Sequence, residues 1–361
     1  MPMRANVPSS SLLLSSLLFA GAALHAPAAA AQGREACTNG HTRLPPTVNL
    51  RVDNDLFGGQ DQGYSNGIQL TLVSPNLADY TDDPCIPRLA RWINRHLDAL
   101  QPPQGFEQRN MIATFAQGIF TPTDYSRRDL IRDDRPYAGA LLAGLGYNAR
   151  TGDRLRTTQL QFGIVGPSAL GKQVQNAVHR ALGDKTFEGW DNQLHDEPVF
   201  RIVHERMRRF APEDAAERRW SWDAVGHYGG SFGNLATYAN AGMEVRFGLR
   251  LPDDFGSTPL RPAGENTAPT THYNTGDRPF AAHLFLTSDV RWVLRDITLD
   301  GNTFRSSHSV DKRPFVAEVG YGVALMHGRW KFAFARYHST REFEGQKQTP
   351  VFGSVTVSRA F

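Results

Sequence analysis

Apolar and polar positions alternate along this chain in recurrent stretches of about ten to fifteen residues, separated by turn-rich segments. The alternation is clearest in Leu284-Phe285-Leu286-Thr287-Ser288-Asp289-Val290-Arg291-Trp292 and in Trp330-Lys331-Phe332-Ala333-Phe334-Ala335. Large apolar side chains there fall mostly on one parity, and small or polar ones mostly on the other. Met111-Ile112-Ala113-Thr114-Phe115-Ala116 is a weaker case. Twelve such stretches begin near Val48, Tyr64, Glu107, Tyr137, Arg154, Val199, Trp220, Thr237, Phe280, Pro314, Trp330 and Pro350. An even count of period-2 segments predicts an all-β fold, a twelve-stranded antiparallel transmembrane β-barrel. Alternation alone also fits a soluble β-sandwich, because it does not say whether the apolar face meets lipid or a core. A final strand ending on Phe361 resembles the terminal signal of bacterial outer-membrane proteins.

One segment breaks the period-2 pattern. Ser168 to Asp184 reads as a short helix, with Ser168 capping its start and Gly183 its end. Val174, Ala177, Val178, Ala181 and Leu182 would form an apolar face. Gln175 and His179, four apart, would share a neighbouring one.

The N-terminus changes the picture next. Arg4, an apolar run from about Leu12 to Leu24 and the stretch Ala28-Ala29-Ala30-Ala31 read as a secretory signal peptide over 1–31, leaving 32–361 as the barrel. No other run is long and apolar enough for a membrane helix. In an oxidising compartment, Cys37 and Cys85 are expected to form one disulfide, with two free thiols as the alternative. A net charge of +3 is too small to imply a nucleic-acid partner.

Topology then sorts the chemistry. With a periplasmic N-terminus, connections after odd strands face outward and those after even strands face the periplasm. Asn148–Asp153 and His327–Arg329 suit periplasmic turns. The connection from about Leu251 to Arg278 falls on that side too, yet is too long for a turn. Asp53-Asn54-Asp55 and Asp61-Gln62-Gly63-Tyr64-Ser65-Asn66-Gly67 fall outward, and their oxygens suit a hard cation such as calcium, or simply a hairpin tip. The predicted helix falls outward as well, and would form a groove against the barrel wall with His179 as a general base. Arg127 and Arg128, with Arg132 and Arg135 nearby, would suit phosphate through forked donors, or be ordinary solvated charge.

A resemblance becomes specific at this point. Asp53-Asn54-Asp55, Gly63-Tyr64-Ser65-Asn66-Gly67, Asp134-Arg135-Pro136-Tyr137-Ala138-Gly139 and Gly163-Ile164-Val165-Gly166-Pro167 occur in that order. They lead into Gln175-Asn176-Ala177-Val178-His179-Arg180 and Gly189-Trp190-Asp191-Asn192-Gln193-Leu194. The series resembles the outer-membrane lipid A 3'-O-deacylase family. The resemblance implies a twelve-stranded barrel carrying out calcium-dependent ester hydrolysis on lipid A of lipopolysaccharide, among outer-membrane lipids and with no protein partner. It places the catalytic histidine on His179, the helix glutamine on Gln175 as a substrate contact, and the calcium-associated pair on Asn54 and Asp55. Ser65 stands where the family has a threonine. The acidic residue after the helix falls near Asp184, shorter than the family's Glu, with Glu188 as a rival. The pair facing lipid A phosphate falls on Arg127 and Arg128. Two other readings stay open: an outer-membrane phospholipase with Ser65 as nucleophile, and a non-enzymatic porin or adhesin-like barrel.

Overall fold

The computed structural model describes residues 46–55, 63–83, 85–103, 105–183, 185–215, 217–257 and 280–361, with backbone only for 63–66, 181 and 182. Twelve antiparallel strands close into a barrel, each bonded to its sequence neighbours, with β1 against β12. They are β1 (Thr47–Asn54), β2 (Gly63–Val73), β3 (Gln108–Thr121), β4 (Ala138–Thr151), β5 (Arg154–Val165), β6 (Glu197–Phe210), β7 (Trp220–Phe232), β8 (Ala236–Leu249), β9 (Phe280–Asp296), β10 (Phe315–His327), β11 (Trp330–Ser339) and β12 (Val351–Ala360). Every expected start lies within two residues of an observed one. Among the described residues, three helices punctuate the connections: α1 (Arg88–His96), α2 (Gly171–Leu182) and the single turn α3 (Ile297–Asp300). No helix among the described residues is long and apolar enough to cross a membrane.

The two parities of each strand separate as a transmembrane barrel requires. On β9, Leu284, Leu286, Val290 and Trp292 are exposed outward, while His283, Thr287 and Asp289 are buried inward. On β11, Phe332 and Phe334 point out and Ala333, Ala335 and Tyr337 point in. A β-sandwich would bury the apolar parity, so that reading is set aside. Aromatic residues mark both ends of the outer face. Trp220, Trp222, Phe247 and Phe280 lie at the lower rim, where the chain's described ends meet, and Phe232, Trp292 and Phe315 lie toward the upper rim, where β1 ends.

Connecting segments pack inward at both ends of the lumen. At the lower rim, part of the long β8–β9 connection turns inward. Phe255 packs with Leu155, Val225 and Met207, and the Arg150 guanidinium lies over its ring. Asp254 pairs with Arg246, itself fully buried and paired with Asp223, and with Lys331 at 2.7 Å. Residues 251–257 of this connection thus form an inner plug at the lower rim. At the upper rim, Leu194 of the β5–β6 connection and Ile297 of α3 join Ala138, Ala140, Val165, Val199 and Leu235 in an inner cluster. The two predicted tight turns are present, with Gly152 (φ +53°) and Gly328 (φ +58°) in left-handed conformations.

The signal segment 1–31 and Cys37 lie outside the described residues. Cys85 sits in the β2–β3 connection at the lower rim.

Candidate active site

The site begins with a helix on the outside of the wall. Even residues of β3 and β4 near the upper rim, such as Phe120, Ala138, Ala140 and Leu142, point into the lumen. Ile119 and Gly139 therefore point out, and they are register partners. α2 packs onto this outer face. Gly171 at its start touches Gly139: a Cβ on Gly139 would lie 3.1 Å from the Gly171 Cα. Val174, one turn later, packs against the cluster of Ile119, Tyr137, Phe187 and Trp190.

The ends of α2 show where local propensity held and where it gave way. Gly183 (φ +75°) caps the C-terminus in the left-handed conformation, as expected. Ser168 does not cap the N-terminus. Its hydroxyl and backbone N–H both bind the Asp196 carboxylate, and the segment 167–169 forms a 3-10 turn. The cap is Leu170 (φ +61°), a left-handed conformation that disfavours a branched side chain. The Gln117 side chain, outward on β3, donates to the Ala169 carbonyl at 2.6 Å and holds this entry.

The buried stripe of α2 also differs from the expected one. Gly171, Gln175 and His179 face the wall, Val174 and Val178 are half-buried, and Ala177 is exposed. Gln175 is 1 % exposed and His179 5 %. The rest of the β5–β6 connection offers polar and aromatic partners rather than a purely apolar groove, and these hold the polar stripe. Trp190, fully buried, donates its indole N–H to Gln175 Oε1 at 3.0 Å. The Gln175 amide nitrogen is a buried donor without a protein partner among the described residues. Phe187 meets the His179 ring edge-on at 5.6 Å and Tyr137 at 6.3 Å, and Tyr137 meets Trp190 at 5.1 Å. Burial, with Asp124, Asp134 and Glu188 nearby, pushes the Tyr137 phenol up to about 12.

His179 Nδ1 lies 2.8 Å from the Lys185 carbonyl. A carbonyl only accepts, so Nδ1 carries the hydrogen and Nε2 is the basic nitrogen. Orientation of the ring comes from a backbone atom that no motif announces. Asp184, assigned a supporting role from sequence, lies outside the described residues. Glu188 forms a 3.0 Å ion pair with Arg128.

The hairpin half of the site comes from β1 and β2. Odd residues of β1 turn inward, and Asp53 is buried against Arg51 at 2.7 Å in the lumen. Strand alternation thus separates Asp53 from Asn54, which stands on the outer parity. Register then carries Asn54 to Asn66 on β2, Asn66 to Ile119, and Ile119 to Gly139, the residue α2 touches. Asn54 and α2 therefore share one rim and one face of the wall. Asp55 follows immediately and is buried. Ser65 is the extra residue of a β-bulge between Tyr64 and Asn66. Asp61 lies outside the described residues. No cluster of three or more His, Cys, Asp or Glu suited to a metal is present among the described residues. Asn54 and Asp55 offer the hard oxygen donors that calcium prefers.

The arginines divide. Arg127 and Arg128 are exposed on the β3–β4 connection, tied to the segment after α2 by the Arg128–Glu188 pair and by Asn192 donating to the Arg128 carbonyl at 2.7 Å. Arg135 is not available to phosphate, because it turns into the barrel, lies over Phe120 and binds Glu342 and Thr298. Sequence reading gave no role to Phe187, Tyr125, Tyr137 and Trp190, although Gly189-Trp190-Asp191-Asn192 marked the segment.

A family model described as "Outer membrane protein LpxR" matches residues 13–361. Among solved structures, the chain is similar to LpxR from Salmonella typhimurium, at 18 % identity and a TM-score of 0.69, covering 87 % of this chain and 100 % of that one. It is also similar to the beta domain of the Bordetella autotransporter BrkA, at 11 % identity and a TM-score of 0.38, covering 89 % of this chain and 100 % of the other. No curated protein sequence matches. Strand count, outward apolar face and full-length match agree, and the chain belongs to the LpxR family of outer-membrane proteins.

Proposed function

We propose that this barrel hydrolyses the 3'-linked acyloxyacyl ester of lipid A at the outer leaflet, with calcium as cofactor and the upper rim facing outward. The observation that carries this reading is the burial of His179 and Gln175 of α2 against Phe187 and Trp190, at the rim that Asn54 shares. A lipid reaches such a site sideways from the bilayer, without entering the lumen. β1 lies about 10 Å from β3, the strand beside which α2 docks, and one lipid substrate can span that separation.

His179 Nε2 takes a proton from water as the water oxygen attacks the ester carbonyl. The acyl–oxygen bond breaks, the acyloxyacyl group leaves as a carboxylic acid, and the sugar keeps a hydroxyl that receives the proton. The Lys185 carbonyl holds the ring tautomer throughout. Gln175, anchored through its oxygen by Trp190, presents its amide N–H₂ toward substrate. Ser65 positions water or substrate, and Asp184 supports the histidine. Asn54 and Asp55 would hold the calcium ion, which when bound supplies positive charge to a developing oxyanion. Arg127 and Arg128 meet lipid A phosphate.

The test is His179→Ala in a host of defined lipid A, with lipid A weighed by mass spectrometry. General-base removal typically lowers the rate by about 10²–10⁴-fold, so the mass loss of one acyloxyacyl unit should disappear while the barrel stays folded and heat-modifiable. Chelation of calcium should have the same effect on wild type and be reversed by adding it back. Normal deacylation by His179→Ala would falsify the assignment. The inward packing of Asp254 and Phe255 at the lower rim speaks against the porin alternative.

A further inference from the structure

Residues 74–107 join β2 to β3 at the lower rim, where a short turn would serve. Met111 of β3 and Tyr147 of β4 are register partners on the outward parity, yet both are buried. Leu77, Tyr80 and Ile86 of this connection cover them, with Leu97 and Leu100 packed alongside. Polar ties lock the cover down. The Tyr80 hydroxyl donates to the Asn148 carbonyl at 2.7 Å, and the Tyr147 hydroxyl donates to Asn94 Oδ1 at 2.8 Å. α1 is therefore strapped to the outside of the barrel, on a wall whose next outward residues face lipid. Phe115, about 13 Å further up β3, is 55 % exposed.

At about 100° per residue, α1 divides into three sectors. Ala90, Asn94 and Leu97 face the barrel, and Asn94 is fully buried. Leu89, Trp92, Ile93 and His96 form a second sector. Leu89 is 67 % exposed and Trp92 59 %, with the His96 ring 4.5 Å from the indole. Arg88, Arg91 and Arg95 form the third. Arg95 pairs with Asp82 at 2.9 Å, while Arg88 and Arg91 have no ion pair among the described residues. Trp92 also stands at the rim of Trp220, Trp222, Phe247 and Phe280, over the strands whose own outward side chains there are covered.

We propose that α1 is an interfacial anchor: Leu89 and Trp92 sink into the acyl-chain boundary of the leaflet at the lower rim, and Arg88 and Arg91 bind the phosphates of anionic phospholipids. The occupant follows from continuity. A helix fixed to the lipid-facing wall, carrying an apolar edge and a basic edge, extends the barrel's lipid contact into the headgroup layer. Exposed leucine and tryptophan at this place are solvated by lipid. That this leaflet is the periplasmic one rests on the orientation proposed above, but the anchoring does not.

The experiment uses the full barrel reconstituted in vesicles of phosphatidylcholine, with and without phosphatidylglycerol, made from ordinary or chain-brominated lipid. The emission of Trp92 is isolated by subtracting the spectrum of Trp92→Phe. Anchoring predicts that this difference emission falls several-fold in brominated vesicles and is shielded from aqueous iodide. Emission quenched by iodide and indifferent to bromine would overturn the proposal. So would emission indifferent to both, which would mean that a second protein surface covers the helix. Quenching by bromine should be stronger with phosphatidylglycerol, and Arg88→Gln with Arg91→Gln should abolish that gain. Equal quenching of wild type in both lipids would overturn the anionic-lipid assignment. Deacylation by these variants reports separately on the site at the other rim.

Discussion

Two helices dock on the same two strands, β3 and β4, from the same outer side, one at each rim. α1 at the lower rim buries Asn94, with Ala90 and the following Leu97 half-buried beside it, and leaves Leu89 and Trp92 exposed. α2 at the upper rim buries Gln175 and His179 and leaves Ala177 exposed. Both are amphipathic and both bury an amide, yet α1 flanks its amide with apolar residues and α2 with a histidine. The difference lies in what the wall presents. Beneath α1 are Met111 and Tyr147, an apolar floor with one hydroxyl to satisfy, which Asn94 meets. Beneath α2 is an aromatic frame with hydrogen-bonding edges, and it holds a glutamine and a histidine where a core would hold leucines. A buried polar stripe costs free energy unless paired, so it persists where something other than stability maintains it.

The comparison is broken most sharply by truncating the tryptophan of each helix. Trp190→Ala removes a fully buried indole and leaves Gln175 Oε1 without its donor. Such truncations typically cost about 3–5 kcal/mol. The cost falls on the docking of α2 and not on the strand ladder, so deacylation should fall to the level of His179→Ala while heat-modifiability persists. Limited proteolysis should cut near 183–186. Trp92→Ala in detergent should change unfolding by less than about 0.5 kcal/mol, since the side chain is exposed. Equal destabilisation by the two would remove the distinction between a frame and an anchor.

Next in size is the glycine contact that sets α2 on the wall. A Cβ on Gly139 meets Gly171 backbone at 3.1 Å, and one on Gly171 meets the Trp190 ring at 2.8 Å. Gly139→Val should push the start of α2 off β4 and lower kcat by about tenfold or more, as misplacement of a catalytic group by an ångström does. Gly139→Ala should be milder, because the neighbour need give only a few tenths of an ångström. A Gly139→Val enzyme with wild-type kcat would mean that α2 is not positioned by this contact.

Alkaline pH separates the helices more gently. Burial raises the Tyr137 phenol from 10.0 to about 12 beneath α2. The neutral form is therefore favoured in the docked state. Its contribution is complete below the unfolded value of 10.0 and is lost as pH rises through about 12. Amide exchange along α2 should accelerate across that window, and Tyr137→Phe should suppress the acceleration. Tyr80 beneath α1 is also pushed up by burial, so it too stays neutral where Tyr137 begins to ionise. Exchange along α1 that accelerates with that along α2 would point to loosening of the whole barrel.

How much of this was legible in the sequence follows from how local each determinant is. The strands were, because period-2 alternation is written residue by residue and a lipid-facing parity has no competing signal. Topology followed from that, and with it the sharing of one rim by Asn54, α2 and Arg127. The plug of Asp254 and Phe255 was not, since a loop's entry into the lumen depends on Arg246, Lys331 and Leu155 from distant strands. α1 was passed over as part of a long connection, although Arg88-Leu89-Ala90-Arg91-Trp92-Ile93-Asn94-Arg95-His96 has a helical pattern. His179 and Gln175 stood out by spacing and by resemblance, but their burial did not, because it is imposed by Trp190 and Phe187. Asp53 and Arg135 were grouped with outward residues by sequence proximity, and strand parity and a turn toward the lumen took them inside. The Lys185 carbonyl had no signature, as every residue carries one.

The smallest expected effect concerns Arg127 and Arg128. Both are exposed, and the Arg128–Glu188 pair has side chains 81 % and 41 % exposed, a setting in which ion pairs contribute little to stability. Arg127→Ala with Arg128→Ala should therefore leave α2 docked and kcat nearly unchanged. The cost should appear in KM for substrate carrying phosphate, by about three- to tenfold at low salt, and shrink as salt screens the remaining charge. A phosphate-free analogue should be turned over equally by both proteins. If the double variant instead loses kcat, with KM and its salt dependence unchanged, Arg128 acts through Glu188 on the segment that carries Phe187 and Trp190. The pair would then belong to the frame of the upper helix and not to substrate recognition.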